Sequence, residues 1–97
     1  MSNVKTVRTS VLKYAKRIRI LTDEYEDGNL HIGLYTMSGE PYMDITTNMG
    51  YPTEKPYGFV LQDSEAEAFV REQKLGENTH NIHGTTFNTY RMYRFNV

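Results

Sequence analysis

Three histidines, His31, His80 and His83, are the residues most suited to bond-making chemistry, and the last two stand three apart. Imidazoles at that spacing, joined by Glu77 or by His31, are the donor types that hold zinc. A metal centre also needs its donors to converge and to be steadied by partners behind them. Two histidines among asparagines and threonines supply little of that. The sequence therefore predicts a hydrogen-bonding loop, with no metal and no cofactor. Nucleophilic catalysis has no better footing. The serines are Ser2, Ser10, Ser38 and Ser64, none in a Gly-x-Ser-x-Gly elbow, and Ser64 reads as a helix cap. There is no phosphate loop and no dinucleotide fingerprint. Asp23 and Glu26, close to Gly28, read as the solvated acids of a turn. The chain has no cysteine, which removes thiolate nucleophiles, disulfides, iron–sulfur clusters and cysteine-bound zinc together. The expectation is a protein that is not an enzyme.

Binding chemistry is better served. Residues 1–20 hold six bases (Lys5, Arg8, Lys13, Lys16, Arg17, Arg19) and no acid; the remainder holds twelve acids against five bases. The net charge of −1 thus conceals two regions of opposite sign. A basic segment with exposed tyrosines holds single-stranded nucleic acid by phosphate contact and base stacking. Arg91 and Arg94, interleaved with Tyr90 and Tyr93, repeat the theme. Strand alternation divides that set, placing Arg91 and Tyr93 on one face and Tyr90, Met92 and Arg94 on the other. The acidic remainder opposes indiscriminate nucleic-acid binding.

Aromatic rings with arginines are also the composition of protein interface hot spots. The acidic tract Asp23, Glu24, Glu26 and Asp27 suits a basic groove on a partner. A competing reading is internal, with the basic segment lying against the acidic turn or the acidic helix. The favoured expectation is a protein partner met through Lys16, Arg17, Arg19, Tyr90, Arg91, Tyr93 and Arg94. Nucleic acid is the alternative. Nothing in the sequence selects a homodimer over a monomer.

The elements that position these residues follow from periodicity. Ninety-seven residues make one domain, 1–97, that buries roughly 60–68% of its unfolded surface. Val4–Tyr14 is ambiguous between a strand and a short helix, with Val7, Val11 and Leu12 at helical spacing, and residues 1–16 lean to an extended basic arm or a strand. From Arg17 the period is two, with Ile18, Ile20 and Thr22 opposite Arg17, Arg19 and Leu21. Asp27-Gly28 marks a hairpin turn, and Leu30, Ile32 and Leu34 resume the alternation. After Ser38-Gly39 come Met43, Ile45 and Thr47, alternating with Tyr42, Asp44 and Thr46, so residues 17–47 form an antiparallel meander. Tyr57–Leu61 is a short apolar strand or extended segment. A helix over Ser64–Leu75 is predicted from the capping box Ser64/Glu67, the stripe Ala66, Phe69 and Val70, and Gly76 as its left-handed stop. Residues 77–86 read as a polar loop, and residues 87–96 as a closing strand. The fold class is α+β: an antiparallel sheet of four or five strands with one helix on one face. No apolar run approaches the roughly 18 residues of a membrane span, and the N-terminus lacks the apolar core of a signal peptide. A cytoplasmic protein is expected.

The order Gly39-Glu40-Pro41-Tyr42, a strand ending at Thr47-Asn48, a helix closing on Leu75-Gly76, then Phe87-x-Thr89-Tyr90-x-Met92-Tyr93-x-Phe95 resembles a bacterial family. That family is a domain of unknown function found on phages, plasmids and conjugative elements. The resemblance spans residues 28–96 and leaves out the basic segment. Family members often end in Gly-Phe-x-Thr-Tyr-Pro-Leu-Tyr-x-Phe. Here two threonines part Gly84 from Phe87, and Arg91-Met92 replaces Pro-Leu. The resemblance implies a mobile-element origin, a bacterial host cell and a small mixed fold, and it assigns no catalytic residue. With the small size, it points to a binding protein that inhibits a bacterial defence nuclease; the alternative, carried by the basic N-terminal segment and exposed tyrosines, is a small nucleic-acid-binding accessory protein.

Overall fold

Alternation builds the first half of the molecule. In a computed structural model describing residues 3–50, 53–84 and 87–96, four strands form one antiparallel sheet in chain order: β1 (Asn3–Arg8), β2 (Arg17–Glu24), β3 (Leu30–Tyr35) and β4 (Pro41–Asp44). Ile18 and Ile20 of β2 and Leu30, Ile32 and Leu34 of β3 are buried on its inner face. The meander expected over residues 17–47 is present, turning at Gly28 (φ 88°) and Gly39 (φ 92°), where glycine takes a left-handed backbone at little steric cost. The basic segment begins as a strand: β1 pairs with β2 in the register Val7↔Ile18 and Arg8↔Arg17.

One departure lies at the end of the meander. β4 stops at Asp44, and both Ile45 and Thr46 turn inward. Thr46 Oγ1 accepts from Ile32 N (3.0 Å) and donates to Leu30 O (3.2 Å), so a hydroxyl satisfies backbone groups where the ladder ends.

The second half is a separate sheet, not an extension of the first. β5 (Tyr57–Leu61), β6 (Gly76–Gly84) and β7 (Thr89–Phe95) pair antiparallel in the order β5–β7–β6, giving seven strands among the described residues. The expected closing strand is thus the centre of its sheet. β6 replaces the polar loop expected over residues 77–86; Thr85 and Thr86 lie outside the described residues. Its sequence carries almost no apolar residue, and it is a strand because β7 supplies a backbone ladder, from Gly76↔Phe95 to Gly84↔Thr89. The ladder slips between Asn78 and Ile82, where His80 takes φ 67°.

The helix α1 spans Ser64–Glu72. Its N-cap is Asp63, not Ser64: Asp63 Oδ1 accepts from Glu65 N (2.9 Å) and Ala66 N (3.0 Å). Its end also falls early. Lys74, at φ 54°, takes the left-handed position, with Leu75 N bonding Val70 O (3.0 Å) and Lys74 N bonding Arg71 O (3.3 Å). That is the Schellman pattern with lysine in the place expected of Gly76. Gly76 serves another purpose, since a Cβ there would lie 2.6 Å from Arg94 O, so β6 meets β7 only if that side chain is absent. Ala66, Phe69 and Val70 of α1 join the isoleucines and leucines of the first sheet and Val60, Tyr93 and Phe95 of the second in one core. Among the described residues, no helix is long and apolar enough to cross a membrane.

Candidate functional site

The residues joining β1 to β2, Thr9–Lys16, form an arch over the edge of the core. Leu12 roots it among buried side chains, and Thr9 N bonds Lys16 O (2.9 Å) across its neck. Two carboxylates of α1 hold the rest. Glu72 accepts from Thr9 Oγ1 (2.6 Å), Ser10 N (2.8 Å) and Ser10 Oγ (2.7 Å), while Glu65 accepts from Lys13 N (2.8 Å). Gln73 Nε2 donates to Arg8 O (2.7 Å). The hydrogen bonds from Thr9 and Ser10 hold the Glu72 carboxyl down at about 2, far below the ordinary 4.5.

The acidic helix does meet the basic segment, but through backbone amides and hydroxyls. Lys5, Arg8, Lys13, Lys16, Arg17 and Arg19 are all exposed, and none forms a salt bridge among the described residues. Arg8, Lys13, Lys16 and Arg17 line a concavity of about 800 Å³ together with Tyr14, whose ring is 88% exposed. Arg8 and Arg17 also face each other directly across the ladder, a like-charged pair that favours an anion between or beside them. Arg19 follows on the same face of β2. Such a surface can hold phosphates or carboxylates.

The C-terminal set is treated differently. Tyr93 faces the core at 7% exposure, and its hydroxyl donates to Glu67 Oε1 (2.8 Å). Burial, followed by that hydrogen bond to the Glu67 carboxylate, pushes the Tyr93 phenol up to about 12. Arg91 Nε lies 3.3 Å from the same oxygen, without the alignment of a hydrogen bond. Both are thus drawn to one carboxylate of α1. Tyr90 and Arg94 lie on the opposite face, with Arg94 exposed.

The acidic tract is likewise partly committed. Asp23 Oδ1 sits 2.6 Å from His31 Nδ1, Glu24 pairs with Lys55, and Asp27 accepts from Asn29 N (3.1 Å) and Asn48 Nδ2 (3.0 Å). Glu26 is exposed. The other nitrogen of His31 meets Asp44 Oδ1 at 2.9 Å. Burial pulls the His31 pKa down, but hydrogen bonds to Asp44 and Asp23 outweigh it and raise the value above 6.5. His80 and His83 lie on β6 in the other sheet, and among the described residues no three His, Asp or Glu side chains are grouped to hold a metal.

Sequence reasoning missed Arg8, Lys13 and Tyr14 as lining residues, and Glu65 and Glu72 as their support. The six bases were visible, but the ambiguous pattern of Val4–Tyr14 hid the arch that presents them.

With this geometry in place, residues 20–97 match the profile of a family described as Domain of unknown function (DUF4313). The chain belongs to that DUF4313 family. No curated protein and no solved structure matches it. The DUF4313 match begins within β2, so β1 and the arch lie outside the part shared with the family.

Proposed function

We propose that this protein is a non-enzymatic binding module that holds single-stranded nucleic acid on its arch and on the outer face of β1 and β2. One observation carries the reading: six exposed bases free of salt bridges among the described residues, four of them around a concavity with an exposed tyrosine. Guanidinium and ammonium groups take phosphates, and an exposed ring takes a base. The acidic remainder orients the molecule, turning the basic edge toward a polyanion. The likeness to proteins of phages, plasmids and conjugative elements fits an accessory role on such an element.

A second reading keeps the partner a protein, such as a host defence nuclease to be inhibited. It is favoured by the exposure of Phe87 (90%) and Ile82 (65%), which with exposed Arg94 supply the aromatic-and-arginine composition of interface hot spots.

Fluorescence anisotropy with labelled single-stranded and duplex oligonucleotides separates the two. The first reading expects binding whose logarithm falls with log salt by about 0.7 per phosphate contacted. Absence of binding at low salt removes it. Affinity purification from bacterial lysate then becomes the test, with Phe87→Ser and Arg94→Glu expected to release the protein partner.

A further inference from the structure

Beyond the arch, the outer face of the first sheet carries a second hollow, of about 210 Å³, lined by Val4, Arg19, Leu21, Tyr35 and Gly39. Its walls are two cross-strand pairs, Val4↔Leu21 and Arg19↔Tyr35. Gly39, in the β3–β4 turn, completes the lining. An outward-facing leucine–valine pair is unusual on a solvated sheet face, and Val4 is 58% exposed. The hollow therefore offers an apolar floor, a phenol ring and one guanidinium.

Its surroundings define what fits. Arg17 and Arg19 lie on the same face of β2, about 7 Å apart along the strand, with Arg8 across from Arg17. At the far end of this face stands the Asp23–His31–Asp44 group, whose carboxylates repel phosphate. The ring of His31 reaches Asp44 over Gly33, where a Cβ would lie 3.1 Å from both. One face thus presents, in order, a row of arginines, an apolar hollow with an aromatic wall, and a negative stop.

We propose that the hollow is a nucleobase subsite: the backbone of a single strand follows Arg8, Arg17 and Arg19, and one unstacked base inserts against Tyr35 over Val4 and Leu21. The inference rests on the nucleic-acid reading above and deepens it, since a paired base in a duplex cannot enter. The guanidinium of Arg19 lies at the mouth, able to meet a phosphate or the edge of the inserted base.

The test compares, on the intact protein, a labelled oligothymidylate with an abasic sugar–phosphate oligomer of equal length and charge, each titrated by anisotropy. The abasic oligomer is expected to bind about 5- to 100-fold more weakly, as loss of base stacking predicts. Tyr35→Leu, which keeps the apolar bulk, is expected to shrink that gap, whereas Arg17→Ala should weaken both oligomers by the same factor and leave the gap intact. Equal, salt-sensitive binding of both oligomers overturns the subsite while sparing the nucleic-acid reading. Binding of neither overturns both.

Discussion

β2 and β7 each set arginines within a strand of a small sheet, and the fold uses them in opposite ways. On β7, Arg91 and Tyr93 point inward, and both converge on Glu67 of α1. On β2, Arg17 and Arg19 point outward, and no carboxylate among the described residues forms a salt bridge with them. The helix makes the difference. Its Glu67 faces the second sheet and takes up side chains there, while Glu65 and Glu72 face the arch and take up backbone amides and hydroxyls. A carboxylate spent on amides leaves the neighbouring cations free for something else. Arg91 of β7 is consequently structural, and the arginines of β2 are available.

Replacing Arg8, Arg17 and Arg19 together with alanine gives the largest expected effect. Oligonucleotide affinity should fall on the order of a hundredfold, while the thermal midpoint stays level or rises slightly as like charges are removed. A loss of stability instead would place the β2 arginines with Arg91 of β7. Glu67→Ala probes the other side. Leaving the Tyr93 hydroxyl without its acceptor and Arg91 without its counter-ion should cost about 1–3 kcal/mol in denaturant unfolding, with oligonucleotide affinity unchanged.

Glu72→Gln loosens the arch and should weaken binding severalfold, although it removes no base. Its stability cost depends on pH. A carboxyl whose folded value lies near 2, against an ordinary 4.5, stabilises fully above pH 4.5 and progressively less as pH falls toward 2. The gap in thermal midpoint between wild type and Glu72→Gln should therefore be widest near neutrality and close in acid. Lys74→Gly has the smallest effect. Relieving a left-handed lysine should add about 0.5–1 kcal/mol by denaturant unfolding and leave binding untouched.

Much of the first sheet was legible in the sequence because alternation there has one buried face, and Ile18, Ile20, Leu30, Ile32 and Leu34 declare it. The helix was legible from Phe69 and Val70. Its ends were not, because Asp63 and Ser64 are both good caps and because a lysine took the position that glycine usually fills. β6 was illegible for a different reason. A strand held by its neighbour's amides and carbonyls leaves no trace in hydrophobic pattern, so His80, Asn81 and His83 read as a loop. Within the candidate site, the bases were countable, yet their freedom was not. Whether Arg17 or Arg91 finds a carboxylate depends on which way each strand faces α1, and that is decided only when the two sheets close on the core.

β1 lies outside the family match but covers β2 from Arg17 to Thr22. A shortened chain starting at Ile20 would expose a bare strand margin in place of that cover, with half its amides and carbonyls seeking partners. Such a fragment should self-associate, visible as a shift to higher mass in gel filtration. The N-terminal addition would then act as a guard against clumping as well as a carrier of charge.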